Sequence, residues 1–246
     1  MTKQRETRER VLELIEPLSV GDAIPSERQL GLDLSVSRLT VRAALDELVR
    51  EGYLVRRRGA GTFVAEPKVA KGIDITSFSD DMRARGLTPE SRTLDLRVAM
   101  AGARLGRILH VSPSEEIISV KRLRLADGEP MAIELLHTRS SLVPGLSAAD
   151  LEQNSFYDLL DDRYGISIVG GTQTVEPTVT NEEESAVLGV PLHSPALLFE
   201  RVTRASTGDV VEFTNSTYRG DRYRIVTEIS VGGASPVAIA AAAALR

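Results

Sequence analysis

The sequence predicts a two-part α+β protein: an N-terminal winged helix-turn-helix domain, then an α+β domain built on an antiparallel sheet. Three observations predict it. Between residues 25 and 64, two helical segments separated by a short turn precede a basic hairpin with a glycine-rich tip. A polar stretch, EPKVAKG, follows at residues 66–72. Beyond it, strand-like segments joined by tight turns alternate with short helices, which is typical of an antiparallel α+β domain.

Composition limits the function classes. The chain has 246 residues, no cysteine and a net charge of −5. The absence of cysteine excludes disulfides and thiolate chemistry. Because no apolar run is long enough to cross a bilayer and the N-terminus does not resemble a signal peptide, we expect a cytoplasmic protein with no membrane partner. Although the chain is acidic, residues 38–58 carry six arginines against three acids, a local charge suited to DNA.

The first helix is expected over Lys3–Leu18, where apolar residues recur at helical spacing. A second helix is expected from Ser26, a suitable N-cap, to about Leu34, and Gln29 is placed to complete a capping box. These two helices precede the third helix, which contains most of the candidate binding residues of this segment.

The third helix is expected from Ser37, its N-cap, to about Glu51, and Gly52 is its stop signal. Its buried stripe is expected at helical spacing, at Val41, Ala44, Leu45 and Leu48. Beside that stripe, Arg38 and Arg42 share one flank and Thr40 lies on the other. On its own this is also the pattern of an ordinary amphipathic helix with solvated arginines.

The hairpin that follows is expected to form a wing. Residues 53–57 and 62–64 alternate as strands around Arg58-Gly59-Ala60-Gly61. Glycines allow the tip to enter a narrow groove, and Arg57 or Arg58 can then meet phosphates or the negative potential of a minor groove. Helix, turn, helix and wing in this order and at this spacing indicate a DNA-binding module.

The blocks PSERQL, VSRLTVR, EGYL and GAGTFV resemble the winged helix-turn-helix of the GntR superfamily of bacterial regulators. The resemblance implies DNA contacts by a set of polar and glycine residues that correspond to Arg28, Ser37, Arg38, Thr40, Arg42, Gly59 and Gly61. The family often has glycine where this chain has Ser35. A positive φ at Ser35 is therefore expected to be mildly strained.

Such a module implies a partner of defined geometry. The N-terminal end of the recognition helix is expected to enter the major groove, where arginine can bond guanine bidentately, while Arg28 and the wing contact phosphates. One module buries too little surface for tight binding, so we expect a homodimer on an inverted-repeat operator of double-stranded DNA. The predicted domains are 1–66 (DNA binding), 67–72 (linker), 73–234 (effector binding and dimerisation) and 235–246 (an alanine-rich tail).

The second domain carries its own expectations. Asp127-Gly128 predicts a hairpin turn, and Asn181 is expected to cap a helix. A strand over residues 166–179 is expected to be broken at Gly170-Gly171, and the last strand is expected over 222–231. Arg122 and Arg124 lie two apart on one strand, so both point to one face and can clamp a phosphate. A solvated sheet face has the same pattern.

Four segments, SFSDDMRARGLTP, KRLRLADGEPMAIE, NSFYDLL and STYRGDRYR, resemble the UTRA domain of the HutC subfamily, whose fold is similar to that of chorismate lyase. SFSDDMRARG and RGDRYR most resemble regulators of N-acetylglucosamine utilisation. That resemblance implies a repressor without a cofactor, whose effector is glucosamine 6-phosphate or N-acetylglucosamine 6-phosphate. It places Phe78, Ser79, Arg122, Arg124, Ser155 and Tyr157 at the phosphate end and Glu134, Glu212 and Tyr218 at the sugar end.

Three alternatives stay open at this stage. The effector could be a different one, such as urocanate, another sugar phosphate or a fatty acid, since a carboxylate also suits the arginine pair. The domain could also be a chorismate lyase-like enzyme, although we find no catalytic motif, and His110, His137 and His193 lack metal-ligand spacing. Catalytic and metal sites are therefore not expected. Finally, the second domain could serve only for dimerisation.

Overall fold

The computed structural model describes residues 3–57, 59–65, 69–71 and 76–226. The chain divides into two compact units, one within residues 1–72 with a contribution from residue 220 onward, and one within residues 73–219. Arg58, half of the predicted linker 67–72 and the predicted tail 235–246 lie outside the described residues.

Three helices form the core of the N-terminal unit: α1 (Lys3–Ile15), α2 (Glu27–Asp33) and α3 (Arg38–Arg50). The buried stripe predicted for α3 is confirmed. It packs against Val11 of α1 and Leu30 of α2, both fully buried. Since one face of α3 is fixed in this core, the opposite face is presented to solvent.

Both predicted N-caps are confirmed. The Ser26 hydroxyl accepts a hydrogen bond from the Gln29 backbone N–H (3.2 Å), and the Ser37 hydroxyl accepts one from Thr40 N–H (3.1 Å). The predicted capping box is wrong in its second half, because the Gln29 side chain donates to Asp33 one turn later (2.7 Å). In the turn before α3, Ser35 has φ +54°, the left-handed conformation expected there.

The wing is a two-stranded hairpin of β1 (Leu54–Arg57) and β2 (Gly61–Val64). Leu54 lies opposite Val64, and Arg57 lies opposite Gly61. At the tip, Gly59 (φ +75°) and Gly61 (φ +122°) adopt backbone conformations that favour glycine. A short strand, β3 (Val69–Lys71), follows within the predicted linker.

A six-stranded antiparallel sheet forms the second unit. Its strands are β4 (Pro89–Met100), β5 (Glu116–Ala126), β6 (Glu129–Arg139), β7 (Ile168–Val179), β8 (Pro195–Ala205) and β9 (Val210–Arg219). Their order across the sheet is β4-β5-β6-β9-β8-β7. The connecting helices are α4 (Phe78–Arg83), α5 (Gly102–Leu109), α6 (Ala148–Gln153), α7 (Phe156–Asp162) and α8 (Glu182–Leu188), with a 3₁₀ turn at Ser140–Leu142.

A β-bulge decides which side chains share a face. The predicted hairpin turn at Asp127-Gly128 joins β5 to β6, and Ala126 pairs with Glu129. The register shifts between Arg124 and Leu125, so that Arg122 lies opposite Glu134. Without the bulge, Arg122 would lie opposite Ile133, the residue next to Glu134, because a shift of one residue exchanges the two faces of a strand.

Other expectations for this unit have mixed outcomes. The helix capped by Asn181 is confirmed, with a capping box to Glu184. The predicted break at Gly170-Gly171 is wrong, since β7 continues through a register shift there. Glycine is needed for packing instead: a Cβ on Gly171 would lie 2.3 Å from the Val202 carbonyl oxygen. Helix α6 was not predicted.

The final described strand, β10 (Tyr223–Ile225), pairs in parallel with β3 rather than with the sheet. Residues 227–231 of the predicted last strand lie outside the described residues. In the part of the chain that the structure describes, no helix is long and apolar enough to cross a membrane.

Candidate functional site

The N-terminal end of α3 presents a polar first turn. The hydroxyls of Ser37 and Thr40 lie 2.8 Å apart, while Ser37 also caps the helix. Arg38, between them in the sequence, is exposed. This arrangement leaves a cation, two hydroxyls and the positive end of the helix dipole on one exposed surface, a combination that suits an anionic partner.

Arg42, one turn further along α3, is held by a carboxylate. Its Nε and Nη2 donate to the Glu27 side chain at 3.1 and 2.8 Å. Arg56 of the wing approaches the same carboxylate (3.5 Å) and pairs with Asp46 of α3 (2.5 Å). The hydrogen bond from Arg42 holds the pKa of Glu27 below its usual value. Glu27 therefore links the recognition helix to the wing through exposed ion pairs.

The remaining predicted DNA contacts are also exposed. Arg28 lies in the first turn of α2, and Arg57 lies at the end of β1 with its guanidinium 4.8 Å from the centre of the Phe63 ring. Gly59 and Gly61 form the exposed wing tip. The predicted contact Arg58 lies outside the described residues. The described members of the set are therefore accessible on the surface of the N-terminal unit, and their contacts with DNA stay a prediction.

The second candidate site is a cavity beneath α7 on one face of the sheet. Strand register brings polar side chains of β5, β6, β8 and β9 to this face, and α4 and α7 cover it. The cavity has a volume of about 20 Å³ and is lined by Ser77, Phe78, Arg122, Arg124, Glu134, Ser155, Phe156, Tyr157, Arg201, Glu212 and Thr214.

Two buried arginines flank Glu134 in the cavity. Arg122 forms an ion pair with Glu134, and both side chains are nearly inaccessible, at 3% and 8% exposure. Burial alone would raise the pKa of Glu134, but Arg122 and Arg124 lower it to about 2. The Arg124 guanidinium lies 4.6 Å from the centre of the Phe78 ring. Burial and the adjacent Arg122 lower the pKa of Arg124 to about 10.

A third arginine, Arg201 of β8, completes the charged cluster. It donates to the Thr76 carbonyl (3.1 Å) and to the Tyr157 hydroxyl (3.2 Å). That hydroxyl in turn donates to Glu212 (2.6 Å). Burial raises the pKa of Glu212 despite the nearby Arg201. Burial also raises the pKa of Tyr157, and the negative charge of the Glu212 carboxylate raises it further.

Several guanidinium donors of this cluster are buried without a hydrogen-bond partner among the described residues: Nε and Nη1 of Arg122, Nε of Arg124 and Nε of Arg201. Three buried cations face two carboxylates, one of which has a raised pKa. A buried donor without a partner is costly. The cavity therefore has surplus positive charge and surplus donors, which is the chemistry that receives an anion such as a phosphate or carboxylate.

Most of the predicted effector-binding residues meet at this cavity. Phe78, Arg122, Arg124, Glu134, Ser155, Tyr157 and Glu212 line it. Ser79 lies behind them, with its hydroxyl 3.4 Å from Nη2 of Arg124. Tyr218 does not line the cavity; its ring packs edge-on against Phe199 with centroids 4.8 Å apart. Burial, with Glu134 nearby, raises the pKa of Tyr218 to about 12.

Sequence reasoning missed four residues that line the cavity: Ser77, Phe156, Arg201 and Thr214. The signal for Arg201 was the alternation of β8, where buried positions recur every second residue and include an arginine. Interpreting it required knowing which face the cavity occupied. The histidines play no part: His137 is buried against Phe213 and bonded to Ser119 (2.8 Å) on the other face. Within the described ranges, no three His, Cys, Asp or Glu side chains could hold a metal ion.

Comparisons with known proteins cover both units. Residues 3–64 match the family described as bacterial regulatory proteins, gntR family, and residues 84–224 match the UTRA domain. The HTH-type transcriptional repressor NagR of Bacillus subtilis strain 168 is 39% identical over 204 residues, covering 82% of this chain and 84% of that protein.

Two further similarities agree with this. The histidine utilization repressor of Klebsiella aerogenes is 31% identical over 205 residues, covering 83% of this chain and 84% of that protein. The crystal structure of PhnF from Mycobacterium smegmatis superposes with a TM-score of 0.63 at 25% identity, covering 92% of this chain and 99% of that one.

Proposed function

We propose that a phosphorylated amino sugar releases this protein from its operator. The premise is that the chain belongs to the GntR family of bacterial regulatory proteins and is a HutC-type transcriptional repressor with a UTRA effector-binding domain. The buried arginine cluster carries this proposal, because its surplus positive charge and its donors without a partner among the described residues suit an anion.

The proposed domain boundaries are those expected from the sequence: DNA binding by residues 1–66 and effector binding by residues 73–234. The protein acts in the cytoplasm as a homodimer on an inverted repeat. A single winged helix-turn-helix buries too little surface for tight, specific binding, and two-fold symmetry places two recognition helices about one helical turn of DNA apart. Catalysis is not part of the proposal, since the relatives are DNA-binding regulators.

The phosphate end of the effector is assigned to Arg122 and Arg124. Their guanidinium groups project from one face of β5, and Ser155 at the start of α7 adds a hydroxyl at the same cavity. Guanidinium forks match phosphate oxygens bidentately. Phe78 and Ser79 approach from α4 and fix Arg124 by ring stacking and a hydroxyl contact.

The sugar end is assigned to Glu134 and Glu212, which line the cavity, and to Tyr218, which lies near Glu134 outside the present lining. Glu134 is already the partner of Arg122, so an incoming phosphate competes with Glu134 for this arginine. Displacement would free the Glu134 carboxylate to accept a hydroxyl or amine of the sugar. The cavity of about 20 Å³ holds about one water, so occupancy requires the lining side chains to move.

That rearrangement supplies the basis for release. A ligand shifts a conformational equilibrium only by binding the two states unequally. An effector that separates Glu134 from Arg122 binds only the rearranged cavity. We infer that the rearranged effector domain alters the separation of the two recognition helices in the dimer, so that they no longer match the half-site spacing.

A thermal-shift screen of the full chain tests the effector assignment. Glucosamine 6-phosphate and N-acetylglucosamine 6-phosphate are compared with the free sugars, urocanate and a fatty acid. At 100 times its Kd, a ligand adds about 2.7 kcal/mol of stability. We expect stabilisation by the phosphorylated amino sugars only, and its loss in Arg124→Met. Stabilisation by carboxylates would instead support a different effector of the same regulator class, and no stabilisation would favour a domain that only dimerises.

A further inference from the structure

The recognition helix α3 carries an apolar side chain on its outer surface that the DNA contacts described above do not include. Leu39, its second residue, is 76% exposed, the highest value for any large hydrophobic residue in the described ranges. It lies between Arg38 and Thr40, both assigned to DNA contacts. An isolated exposed leucine is common on protein surfaces, so its position on the helix must carry the argument.

Leu39 lies opposite the buried stripe. Successive helical residues turn by about 100°, so Leu39 is displaced by about 160° from Val41, the first buried residue of the stripe. Ala43 follows Leu39 by four residues and lies on the same outer face. Leu39 and Ala43 thus form a two-residue apolar strip, flanked by Arg42, at the end of the helix that faces DNA.

The partner that suits this strip is a base, not a phosphate. Base pairs in the major groove present hydrogen-bonding atoms, with one apolar exception, the C5-methyl group of thymine. Aliphatic side chains contact that methyl group and discriminate against cytosine, which lacks it. The strip is continuous with the proposed DNA-contacting residues, so operator DNA is the surface that covers it.

We propose that Leu39, supported by Ala43, contacts a thymine methyl group in each half-site and is a specificity-determining residue of this repressor. This inference rests on the proposed function, since it requires the N-terminal end of α3 to lie in the major groove. It adds a sequence requirement to that function: a T·A pair beside the bases contacted by the arginines of α3.

The test uses the full chain and a DNA substitution that removes only the methyl group. An operator is first selected from a random duplex library, and each dT of the selected half-site is then replaced by dU. Affinities are measured for the wild type, for Leu39→Ala and for Leu32→Ala. Leu32→Ala is the matched control, because Leu32 is a leucine of α2 with 65% exposure in the same unit.

We expect one dT→dU position at which wild-type affinity falls about fourfold, the ratio that corresponds to burying one methyl-sized group. Leu39→Ala should bind the dT operator more weakly and lose this discrimination, to less than about twofold, whereas Leu32→Ala should keep it. We expect both alanine variants to fold, since alanine favours a helix at an exposed position.

Two failures are distinguishable. If the library yields an inverted repeat but dU has the same effect on the wild type and on Leu39→Ala, or no effect on either, the thymine contact is wrong and the repressor assignment stands. If no specific duplex is enriched, the proposed operator binding fails and the thymine contact fails with it.

Discussion

Two arginine–glutamate ion pairs, one in each unit, differ in how far they are exposed to water. Arg42 and Glu27 meet at the surface, with side chains 53% and 22% exposed. Arg122 and Glu134 meet inside the effector domain, with side chains 3% and 8% exposed. The first pair therefore remains hydrated, whereas the second is almost completely removed from water.

Hydration decides what each pair contributes. An exposed pair contributes up to about 1 kcal/mol and is easily rearranged when a phosphate approaches. A buried pair must offset a desolvation cost of several kcal/mol per ion, so that apolar replacements are often as stable or more so. We interpret the exposed pair as a contact that orients Arg42 for DNA binding. We interpret the buried pair as a contact that breaks only when a competing anion binds Arg122.

Removing one buried partner is expected to have the largest effect. Arg122→Met removes the ion-pair partner of the buried Glu134 carboxylate and should lower the free energy of unfolding by about 3–5 kcal/mol. Urea unfolding of the full chain at pH 7 measures it. The exposed equivalent, Arg42→Met, should lower it far less, because water screens a surface ion pair.

The double variant Arg122→Met with Glu134→Gln is the control, because it removes both charges. It should recover most of the lost stability while remaining unresponsive to phosphorylated sugars. Equal losses in Arg42→Met and Arg122→Met would contradict the distinction between the two pairs.

The exposed pair should matter for affinity instead. Arg42→Met is expected to weaken operator binding by about ten- to a hundredfold, since a bidentate arginine–base contact contributes about 1–3 kcal/mol. Fluorescence anisotropy at several salt concentrations measures it. If Arg42 contacts a phosphate instead, the slope of log K against log salt should become less negative by about 0.9. Glu27→Gln, which frees Arg42 without removing its charge, should have a smaller effect on affinity.

The two units should also differ in pH dependence. Burial, with Arg104 and Arg97 nearby, lowers the pKa of His137 to about 4, against an ordinary value of 6.5. The unfolded chain therefore takes up a proton that the folded chain refuses as pH falls from 6.5 to 4. Stability from this group is fully present above pH 6.5 and is lost across that window, by about 3 kcal/mol.

His137→Gln isolates this contribution, because glutamine can keep a hydrogen bond to Ser119 without titrating. The difference in unfolding free energy between pH 7.5 and 4.5 should be smaller in this variant than in the wild type. A difference of the same size in both proteins would show that carboxylates, not His137, govern acid sensitivity.

The smallest effect is expected at the turn before α3. Ser35 has φ +54°, where glycine is unstrained. Ser35→Gly should stabilise the N-terminal unit by about 0.5–1 kcal/mol and leave operator affinity nearly unchanged, because the hydroxyl is not among the proposed contacts. Thermal unfolding measures the first effect. Destabilisation would indicate that the Ser35 side chain has a role in the turn.

Local signals predicted the N-terminal unit well. Caps at Ser26 and Ser37, the stripe on α3 and the glycines of the wing all act within a few residues, and each has its expected geometry. The left-handed turn at Ser35 was likewise predicted. The one local error, the Gln29 capping box, arose because Asp33 offers the same side chain a competing acceptor.

Long-range pairing limited the prediction of the effector site. The sequence placed Arg122 and Arg124 on one face. The bulge that brings Glu134 opposite Arg122 could not be predicted, because neither the strand pattern nor the turn residues indicate it. Arg201 enters the cavity from a strand almost eighty residues away. Helix α6 was missed although Ser147 and Asp150 form a capping box, because the helix is only six residues long. The roles of the cavity residues stay predictions.

The parallel pairing of β3 with β10 has a consequence for engineering. Val69 lies beside Tyr223, so the chain leaves and re-enters the N-terminal unit through two neighbouring strands. Topologically, residues 73–219 are an insertion whose two ends emerge close together, the arrangement in which whole domains tolerate transplantation. A chimeric biosensor built from this repressor therefore has to keep β3 and β10 together. A fusion made at the linker alone would leave β3 without its partner strand.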